Sequence, residues 1–327
     1  MRLQPRAPRR WRWSQVFWLG LAVLLLAVTL RTVSLADMLA ALAQLRPWQI
    51  GVLVLANGAV LLFWYARWAV ILQALGYRRP LRRLGRYILA AYAVSYFTPG
   101  PHTGGEPVQA YLLHRDESVP LPTAVASVAL DKTLAFLTSF SMLLLGIFFV
   151  LEGSLLAGQL GQMALAVGLV LLALPALLLV VWVLGYRPLT AVFGWRGLGR
   201  WQAAVAETET QIGAFCRRQP RALLMAAFYS TLSWLFLMVE YWLMTYFLGL
   251  RMTPLEALTL FTAVRLAHLL PMPGALGTLE AAQVLALEMM GLNPAVGLSL
   301  SLLIRLRDVG LALLGAWLGT QRPNAPA

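Results

Sequence analysis

The sequence predicts an all-α integral membrane protein with about six full transmembrane helices plus two re-entrant helical hairpins arranged as inverted repeats. The first observation is composition: 60% of the 327 residues are hydrophobic, 12% are charged and the mean hydropathy is +0.73. The second is the apolar runs, several of which reach the ~20 residues that a helix needs to cross a bilayer. The third is a motif that occurs twice, as PGPHTGGE at 99–106 and as PGALGTLE at 273–280.

Long apolar runs define the six predicted spans. They lie at about 14–33, 48–75, 122–151, 163–185, 222–248 and 294–318. The chain is therefore divided into a basic cytoplasmic N-terminus (1–13), a single membrane domain (14–320) and a C-terminal tail (321–327). Within the membrane domain, repeat one covers about 14–151 and repeat two about 162–318.

Each copy of the motif lies between two shorter apolar pieces, which are the predicted re-entrant hairpins. The pieces are 87–97 and 107–113 for the first copy, and 254–270 and 281–290 for the second. Proline ends a helix and glycine permits left-handed backbone. Irregular backbone of this kind is tolerated at membrane depth only where it is buried in protein or lines a wet cavity. The sequence leaves open whether 87–97 is re-entrant or crosses fully.

Arginine-rich connectors determine the predicted orientation. They lie at 78–86 and 187–221, the second with a surface helix expected at 198–218, and further arginines precede the first span. The positive-inside rule places them in the cytoplasm, with both termini and the sole thiol, Cys216. The expected location is a bacterial-type plasma (inner) membrane. The net charge of +13 is assigned to topology and lipid contact, and no nucleic-acid partner is expected.

The two motif copies belong to a weak internal repeat. They are offset by 273 − 99 = 174 residues, and the same offset aligns Glu106 with Glu280 and Asp131 with Arg305. Because three crossings separate the copies, their orientations in the membrane would be opposite. Inverted repeats with broken helices that meet near the midplane are typical of transporters.

Two interpretations of the motif remain open. In one, each copy is a tight turn whose glutamate caps the next helix. In the other, each copy lines a site, since a carboxylate within the membrane is costly. The second interpretation predicts a substrate path formed by Gly100, Gly104, Gly105, Glu106, Gly274, Gly277 and Glu280.

Other charged or polar residues fall inside predicted membrane segments. They are Asp131, Lys132, Arg305, Asp308, Glu240, Arg265 and His268. Polar pairs between the two halves are expected among the first four, with structural pairing and transport chemistry both open. The i, i+3 spacing predicts an Arg305–Asp308 pair with Arg307 pointing elsewhere, and Arg67 is expected to snorkel.

An enzyme is the less favoured alternative, and no catalytic residues, metal or cofactor are predicted. His102 and Glu106 are spaced i, i+4, which could suit an acid–base pair. The position equivalent to His102 in the second copy is Leu276. The sequence has no HExxH, GxSxG or metal-ligand cluster. His102 and His268 are expected to make ordinary hydrogen bonds.

The residues around both motifs resemble a known family. TPGPHTGGEPVQAYLL (98–113), the in-span pair Asp131-Lys132 and LPMPGALGTLEAAQ (270–283) look like the lysylphosphatidylglycerol synthase transmembrane-region family, also called flippase-like domain proteins. In full-length synthases such a domain is thought to move the modified lipid, ahead of a soluble aminoacyl-transferase domain. The resemblance covers roughly 15–320, so this chain is expected to be a stand-alone member without that domain.

The resemblance implies lipid translocation or lipid handling. Two positions depart from the family pattern, because Gln109 and Lys132 stand where the family often has arginine. Stand-alone relatives are linked to assorted lipids, including polyprenyl-phosphate sugars and hopanoids, so the head group is not identified.

We therefore expect a lipid flippase or translocase for an anionic or zwitterionic phospholipid, glycophospholipid or carrier lipid. The alternatives are a membrane-embedded transferase that acts on a lipid carrier and a non-transporting accessory subunit of a lipid-synthesis complex. Membrane lipids are the expected partners, and a homo-oligomer or association with lipid-synthesis enzymes is also considered. A translocator is expected to be damaged comparably by changes at Glu106 and at Glu280.

Overall fold

A computed structural model of the protein describes residues 43–96, 98, 103–152, 159–195, 199–270, 275 and 277–321. The described residues contain helices and turns, without a strand, which confirms the all-helical prediction for this part of the chain. Eleven helices are bounded within these residues. They are α1 (Pro47–Ala74), α2 (Leu81–Ser95), α3 (Glu106–Glu117), α4 (Leu121–Glu152), α5 (Gln159–Val183), α6 (Pro188–Trp195), α7 (Gly199–Arg218), α8 (Pro220–Phe247), α9 (Pro254–Leu269), α10 (Thr278–Met289) and α11 (Ala295–Thr320).

Four helices in the described part of the chain are long and apolar enough to cross a membrane. They are α1, α4 over Leu121–Leu151, α5 over Gly161–Val183, and α8. Their outer faces expose large apolar side chains, such as Leu55 at 75% and Leu174 at 62%, which suits contact with lipid tails. The protein is thus a multi-pass membrane protein. The predicted span at 294–318 corresponds to α11, which carries three charged residues near its middle and is not among these four helices. The predicted span at 14–33 lies outside the described residues.

Two pairs of short helices flank the motif loops. Helices α2 and α3 have 15 and 12 residues, and α9 and α10 have 16 and 12. At 1.5 Å per residue they are ~18 to ~24 Å long, which is less than the ~30 Å hydrocarbon core. No one of these four helices can therefore cross a bilayer alone. Residues 97, 99–102, 271–274 and 276 of the loops lie outside the described residues.

The first helix of each short pair packs against a long helix of the other predicted repeat. Helix α2 packs on α11, and α9 packs on α4. Glycines permit the close approach: a Cβ at Gly315 would overlap the carbonyl oxygen of Leu89, and a Cβ at Gly146 would overlap the Thr262 side chain. The two predicted repeats therefore interlock, and α1 of the first also packs along α8 of the second.

The first arginine-rich connector is attached to the end of α3. Arg79 Nε lies 2.6 Å from Glu117 Oε2, and Arg83 Nη1 lies 3.2 Å from Glu117 Oε1. Tyr87 donates a 3.0 Å hydrogen bond to the same carboxylate. Because Glu117 is 8% exposed, these contacts hold α2 and α3 together at the end opposite the motif.

The second connector contains two helices, α6 and α7, where the sequence predicted one at 198–218. The additional helix α6 begins where the buried Glu209 of α7 accepts hydrogen bonds from the backbone of Leu189 and Thr190. A carboxylate at a helix N-terminus accepts hydrogen bonds from free N–H groups and interacts favourably with the helix dipole. The sequence did not reveal α6 because this capping side chain lies about 20 residues later in the chain.

The thiol of Cys216 is expected to label slowly in the folded protein. It is 5% exposed, and burial raises the pKa of the thiol to about 11, so at neutral pH the reactive thiolate is scarce. Labelling should accelerate on denaturation and as the pH rises toward 11.

The orientation of α7 in the membrane can be tested with Ala203→Cys in a Cys216→Ala background, which gives an exposed thiol on the same helix. It should react with impermeant maleimide only after the cytoplasmic side is opened, and reaction in intact cells would contradict the predicted orientation.

Candidate functional site

Glu106 is the first residue of α3 and makes two kinds of contact. Its Oε2 accepts a 2.6 Å hydrogen bond from the backbone N–H of Gly104, which has a left-handed φ of 109°. Its Oε1 lies 3.1 Å from Nζ of Lys132 on α4. The backbone N–H of Gly105 donates to Ser95 Oγ at 3.0 Å, so the loop is attached to the end of α2. One carboxylate therefore closes the loop and binds a cation on the next long helix.

Glu280 makes the corresponding contacts in the second copy. Its Oε2 accepts a 2.9 Å hydrogen bond from the backbone N–H of Gly277, whose φ of 79° is again left-handed. Its Oε1 lies 2.5 Å from Nε of Arg305 on α11. Arg305 also donates to the carbonyl oxygen of Ala275 at 3.4 Å. In each copy one carboxylate oxygen therefore caps the loop, as the tight-turn interpretation predicts, and the other oxygen is paired with a cation. The site-lining interpretation stays a prediction.

Gly105→Ala is expected to destabilise the protein by about 2 kcal/mol, since added atoms in a packed site force backbone shifts. A Cβ at Gly105 would overlap the carbonyl oxygen of Ala91 on α2. The control is Gly51→Ala in α1, where nothing lies within 4 Å of the added atom and alanine favours the helix. Thermal unfolding in detergent compares the two variants, and equal melting temperatures would contradict the tight contact.

A third cation–carboxylate pair joins α1 to α4. Arg67 donates from Nε to Asp131 Oδ1 at 2.7 Å and from Nη2 to Oδ2 at 3.1 Å, the bidentate arrangement typical of arginine. Its Nη1 donates to Ser230 of α8 at 3.1 Å. Arg67 and Asp131 are 5% and 3% exposed. The expectation that Arg67 snorkels is therefore wrong, because its charge is neutralised inside the bundle.

A further cluster of charges joins α8 to α11. Arg307 Nη1 lies 3.2 Å from Glu240 Oε2, and Arg307 Nη2 lies 2.8 Å from Asp308 Oδ1. Asn57 of α1 donates to both oxygens of Glu240. The predicted pairing on α11 is corrected accordingly: Arg307 is the residue that contacts Asp308, and the carboxylate bound by Arg305 is Glu280. The i, i+3 spacing permits a pair but does not prevent a neighbouring helix from offering a better partner.

These ion pairs lie within the predicted halves, whereas the sequence suggested pairs between halves. Arg67–Asp131 and Lys132–Glu106 belong to repeat one, and the pairs made by Arg305 and Arg307 belong to repeat two. An offset of 240 − 67 = 173 aligns Arg67 with Glu240, and 305 − 132 = 173 aligns Arg305 with Lys132. This offset, one residue shorter than that of the motifs, relates charged positions of the two repeats, but it does not identify which charges pair.

A cavity of about 190 Å³ lies between the two halves. Its wall includes the Arg67–Asp131 pair, Arg307 with Asp308, a set of aromatic rings and several small polar residues. The charged residues that line it are Arg67, Asp131, Lys132, Arg265, Arg307 and Asp308. An engineered cavity of about 150 Å³ holds benzene, so this volume suits a head-group fragment rather than acyl chains.

Arg265 of α9 differs from the other cations around the cavity. It donates to Ser139 of α4 at 3.2 Å, and its guanidinium lies 4.3 Å from the ring centroid of Trp234. No carboxylate among the described residues lies within 4.0 Å of it. His268, one turn later and also on the cavity wall, contacts the carbonyl oxygen of Val264 through Nδ1 at 2.7 Å.

The predicted substrate-path residues that the structure describes do not line the cavity. Gly104, Gly105, Glu106, Gly277 and Glu280 are not among the residues that line this cavity. Glu106 reaches it indirectly, since its partner Lys132 is a wall residue. Gly100 and Gly274, like His102, lie outside the described residues.

The sequence interpretation missed a pair of buried glutamines that share the 174-residue offset of the motifs. Gln109 and Gln283 are separated by 283 − 109 = 174 residues and each follows the motif glutamate by three positions. They are 2% and 0% exposed. Gln109 lines the cavity, and its Nε2 has no hydrogen-bond partner among the described residues.

Comparison with known proteins decides the family. The model of the lysylphosphatidylglycerol synthase TM region matches residues 15–315, which is most of the chain. The chain belongs to this family. The match confirms the resemblance predicted from the motifs and places both motifs and the cavity inside the family's membrane region.

Three alignments with curated relatives agree with this assignment. A UPF0104 membrane protein of Methanothermobacter thermautotrophicus is 22% identical over 302 residues, which are 88% of each chain. Another alignment to a UPF0104 membrane protein of that organism gives 30% identity over 101 residues, 31% of this chain and 28% of the relative. A UPF0104 membrane protein of Methanocaldococcus jannaschii is 30% identical over 87 residues, 26% of each chain. This member of the lysylphosphatidylglycerol synthase TM-region family therefore resembles proteins whose names state a membrane location only.

No group of three or more histidine, cysteine or acidic side chains in the described ranges is arranged to hold a metal ion. The chemistry that the arrangement offers is instead electrostatic. Buried ion pairs hold the helices, and one arginine without a carboxylate faces a small chamber.

Proposed function

We propose that the protein translocates an anionic or zwitterionic phospholipid, glycophospholipid or carrier lipid between the leaflets of a bacterial-type inner membrane. The observation that carries the proposal is the charged cavity of about 190 Å³ between the two halves. Charged side chains within the membrane are expensive and mark substrate pathways. A cavity of this size and polarity suits the head group while the acyl chains remain in lipid.

The proposed architecture has six crossings and two re-entrant hairpins in inverted repeats, with both termini in the cytoplasm. Support comes from the matching contacts of Glu106 and Glu280 and from hairpin helices too short to cross alone. In transporters with this organisation, one half rocks against the other around a fixed site. The Arg265–Ser139 hydrogen bond joins α9 to α4 across the two halves, and rocking would break it.

A liposome assay tests the function. The purified protein is reconstituted in vesicles that contain lipids with fluorescent head groups or tails, and an impermeant quencher reports which lipids change leaflet. The panel includes phosphatidylglycerol, phosphatidylethanolamine and a polyprenyl phosphate. Wild-type protein should accelerate exchange of at least one lipid well above protein-free vesicles.

The matched variants are Glu106→Gln and Glu207→Gln. The first removes the carboxylate that binds the cavity cation Lys132, and the second removes an exposed carboxylate on α7. Exchange should fall in the first variant, since charged groups within the membrane mark substrate pathways, and stay unchanged in the second. If wild-type protein moves no lipid of the panel, the proposed function is wrong.

A further inference from the structure

Four cations line the cavity among the described residues, and they are not equivalent. Arg67 lies 2.7 Å from Asp131, Lys132 lies 3.1 Å from Glu106, and Arg307 lies 3.2 Å from Glu240. The fourth cation is Arg265, which has no carboxylate within 4.0 Å in the described part of the chain. Among these four cations, Arg265 is therefore the one that makes no direct ion pair with a described carboxylate.

The hydrogen-bonding capacity of Arg265 is also largely unused. A guanidinium has five N–H donors, and one is used, in the 3.2 Å hydrogen bond to Ser139. The ring of Trp234 covers one face of the guanidinium, which leaves its edge as the place for an acceptor. Planar guanidinium edges bind phosphate and carboxylate oxygens in a bidentate manner.

Two further polar groups on the cavity wall lack partners. The side-chain Nε2 of Gln109 and the hydroxyl of Tyr241 are buried without a hydrogen bond to any described residue. Gln109 is 2% exposed and Tyr241 is 4% exposed, and both line the cavity. Buried polar groups are nearly always satisfied, so each unsatisfied group calls for a ligand or water. Both groups can donate, as Arg265 does.

We propose that Arg265, Gln109 and Tyr241 form a binding site for a phosphate group, presented by a lipid head group. The inference rests on the proposed function, which it narrows to phosphate-bearing lipids. Arg265 supplies the charge and the two-pronged donor. Gln109 and Tyr241 supply neutral donors from α3 and α8. Because the three residues come from different helices of both halves, binding a phosphate would pull the halves together.

Binding of a short-chain lipid to the purified protein in detergent tests the site. The probes are dioctanoyl phosphatidylglycerol, dioctanoylglycerol with the same tails but no phosphate, and sodium phosphate with no tails. Calorimetric titration should show binding of the first and little binding of the second. Arg265→Gln should weaken binding of the phospholipid by about tenfold or more, the loss typical of a charge-assisted hydrogen bond.

Arg251→Gln is the matched control. Arg251 is exposed and also lies over an aromatic ring, 5.6 Å from the Tyr246 centroid, but it does not line the cavity. Its loss should leave affinity within about twofold, as expected for an exposed charge. Tyr241→Phe removes one hydroxyl without removing a known contact, so it should fold normally and weaken binding about fivefold, the effect of one neutral hydrogen bond.

The outcomes separate this inference from the proposed function. Unchanged affinity in both Arg265→Gln and Tyr241→Phe, or equal binding of dioctanoylglycerol, would overturn the phosphate site. Arg265-dependent binding of sodium phosphate as tight as that of the lipid would overturn the lipid assignment and support a soluble phosphate ligand. Arg265-dependent lipid binding without translocation in vesicles would support the site and contradict the proposed function. If Arg265→Gln translocates lipid at the wild-type rate, the result would support the proposed function and contradict the phosphate site.

Discussion

Replacing Asp131 with asparagine is expected to lower the free energy of unfolding by about 3 kcal/mol, the low end for removing one partner of a buried ion pair. The substitution keeps the size of the side chain but removes the charge that neutralises Arg67. Both residues are almost fully buried, so Arg67 would retain its charge without a counter-ion. Equilibrium unfolding of the purified protein in mixed detergent micelles measures the change.

Two further variants test the cause of the Asp131 effect. Glu207→Gln also neutralises a carboxylate, but this side chain is exposed and should change stability by no more than about 0.5 kcal/mol. The double variant Arg67→Met, Asp131→Leu removes both charges and should recover most of the lost stability. If the double variant is less stable than Asp131→Asn, an unpaired charge is not the cause.

Glu280→Gln is expected to destabilise the protein by about 3 kcal/mol, whereas Glu106→Gln should cost about 1 kcal/mol. The difference follows from the cations. The side chain of Arg305 is 2% exposed, so it cannot exchange Glu280 for water, whereas the side chain of Lys132 is 30% exposed and can be hydrated. For stability, the contacts thus predict an asymmetry between the two glutamates. The expectation of comparable damage concerns translocation and stays a prediction.

The same unfolding measurement resolves this pair. Adding Arg305→Gln to Glu280→Gln should restore part of the stability, since it removes the buried charge that Glu280→Gln leaves without its carboxylate partner. Equal stability of the two single glutamate variants would contradict the asymmetry. Glu106→Gln is the better probe of transport, because its fold should remain intact.

Helix positions could be predicted closely from the sequence. The run at 48–75 corresponds to α1 at Pro47–Ala74, and the run at 222–248 corresponds to α8 at Pro220–Phe247. Lipid contact demands long apolar segments, and the prolines at the start of both helices fit the first turn. Helix α6 was missed because it depends on a cap from a distant glutamate.

The candidate site could be predicted only in part. The motif glutamates were identified because they recur at a fixed offset within apolar sequence, and local geometry explains their capping contacts. Their cation partners were not identified, because the 174-residue offset aligns Arg305 with Asp131 rather than with Lys132. Arg67 was misassigned because the sequence does not show that Asp131, 64 residues later, lies beside it. Which charges meet is decided by helix packing, which one chain's pattern does not specify.

Lipid head groups are proposed to pass through the cavity between the two predicted halves. The most direct test is translocation by an Ala135→Cys variant in a Cys216→Ala background, before and after modification with a bulky maleimide. Ala135 lines the cavity, and Leu174→Cys on the lipid-facing side of α5 is the control. We expect that the Ala135→Cys variant moves lipid, that modification stops this movement, and that the modified control remains active. Undiminished translocation after complete modification at position 135 would contradict a path through this cavity.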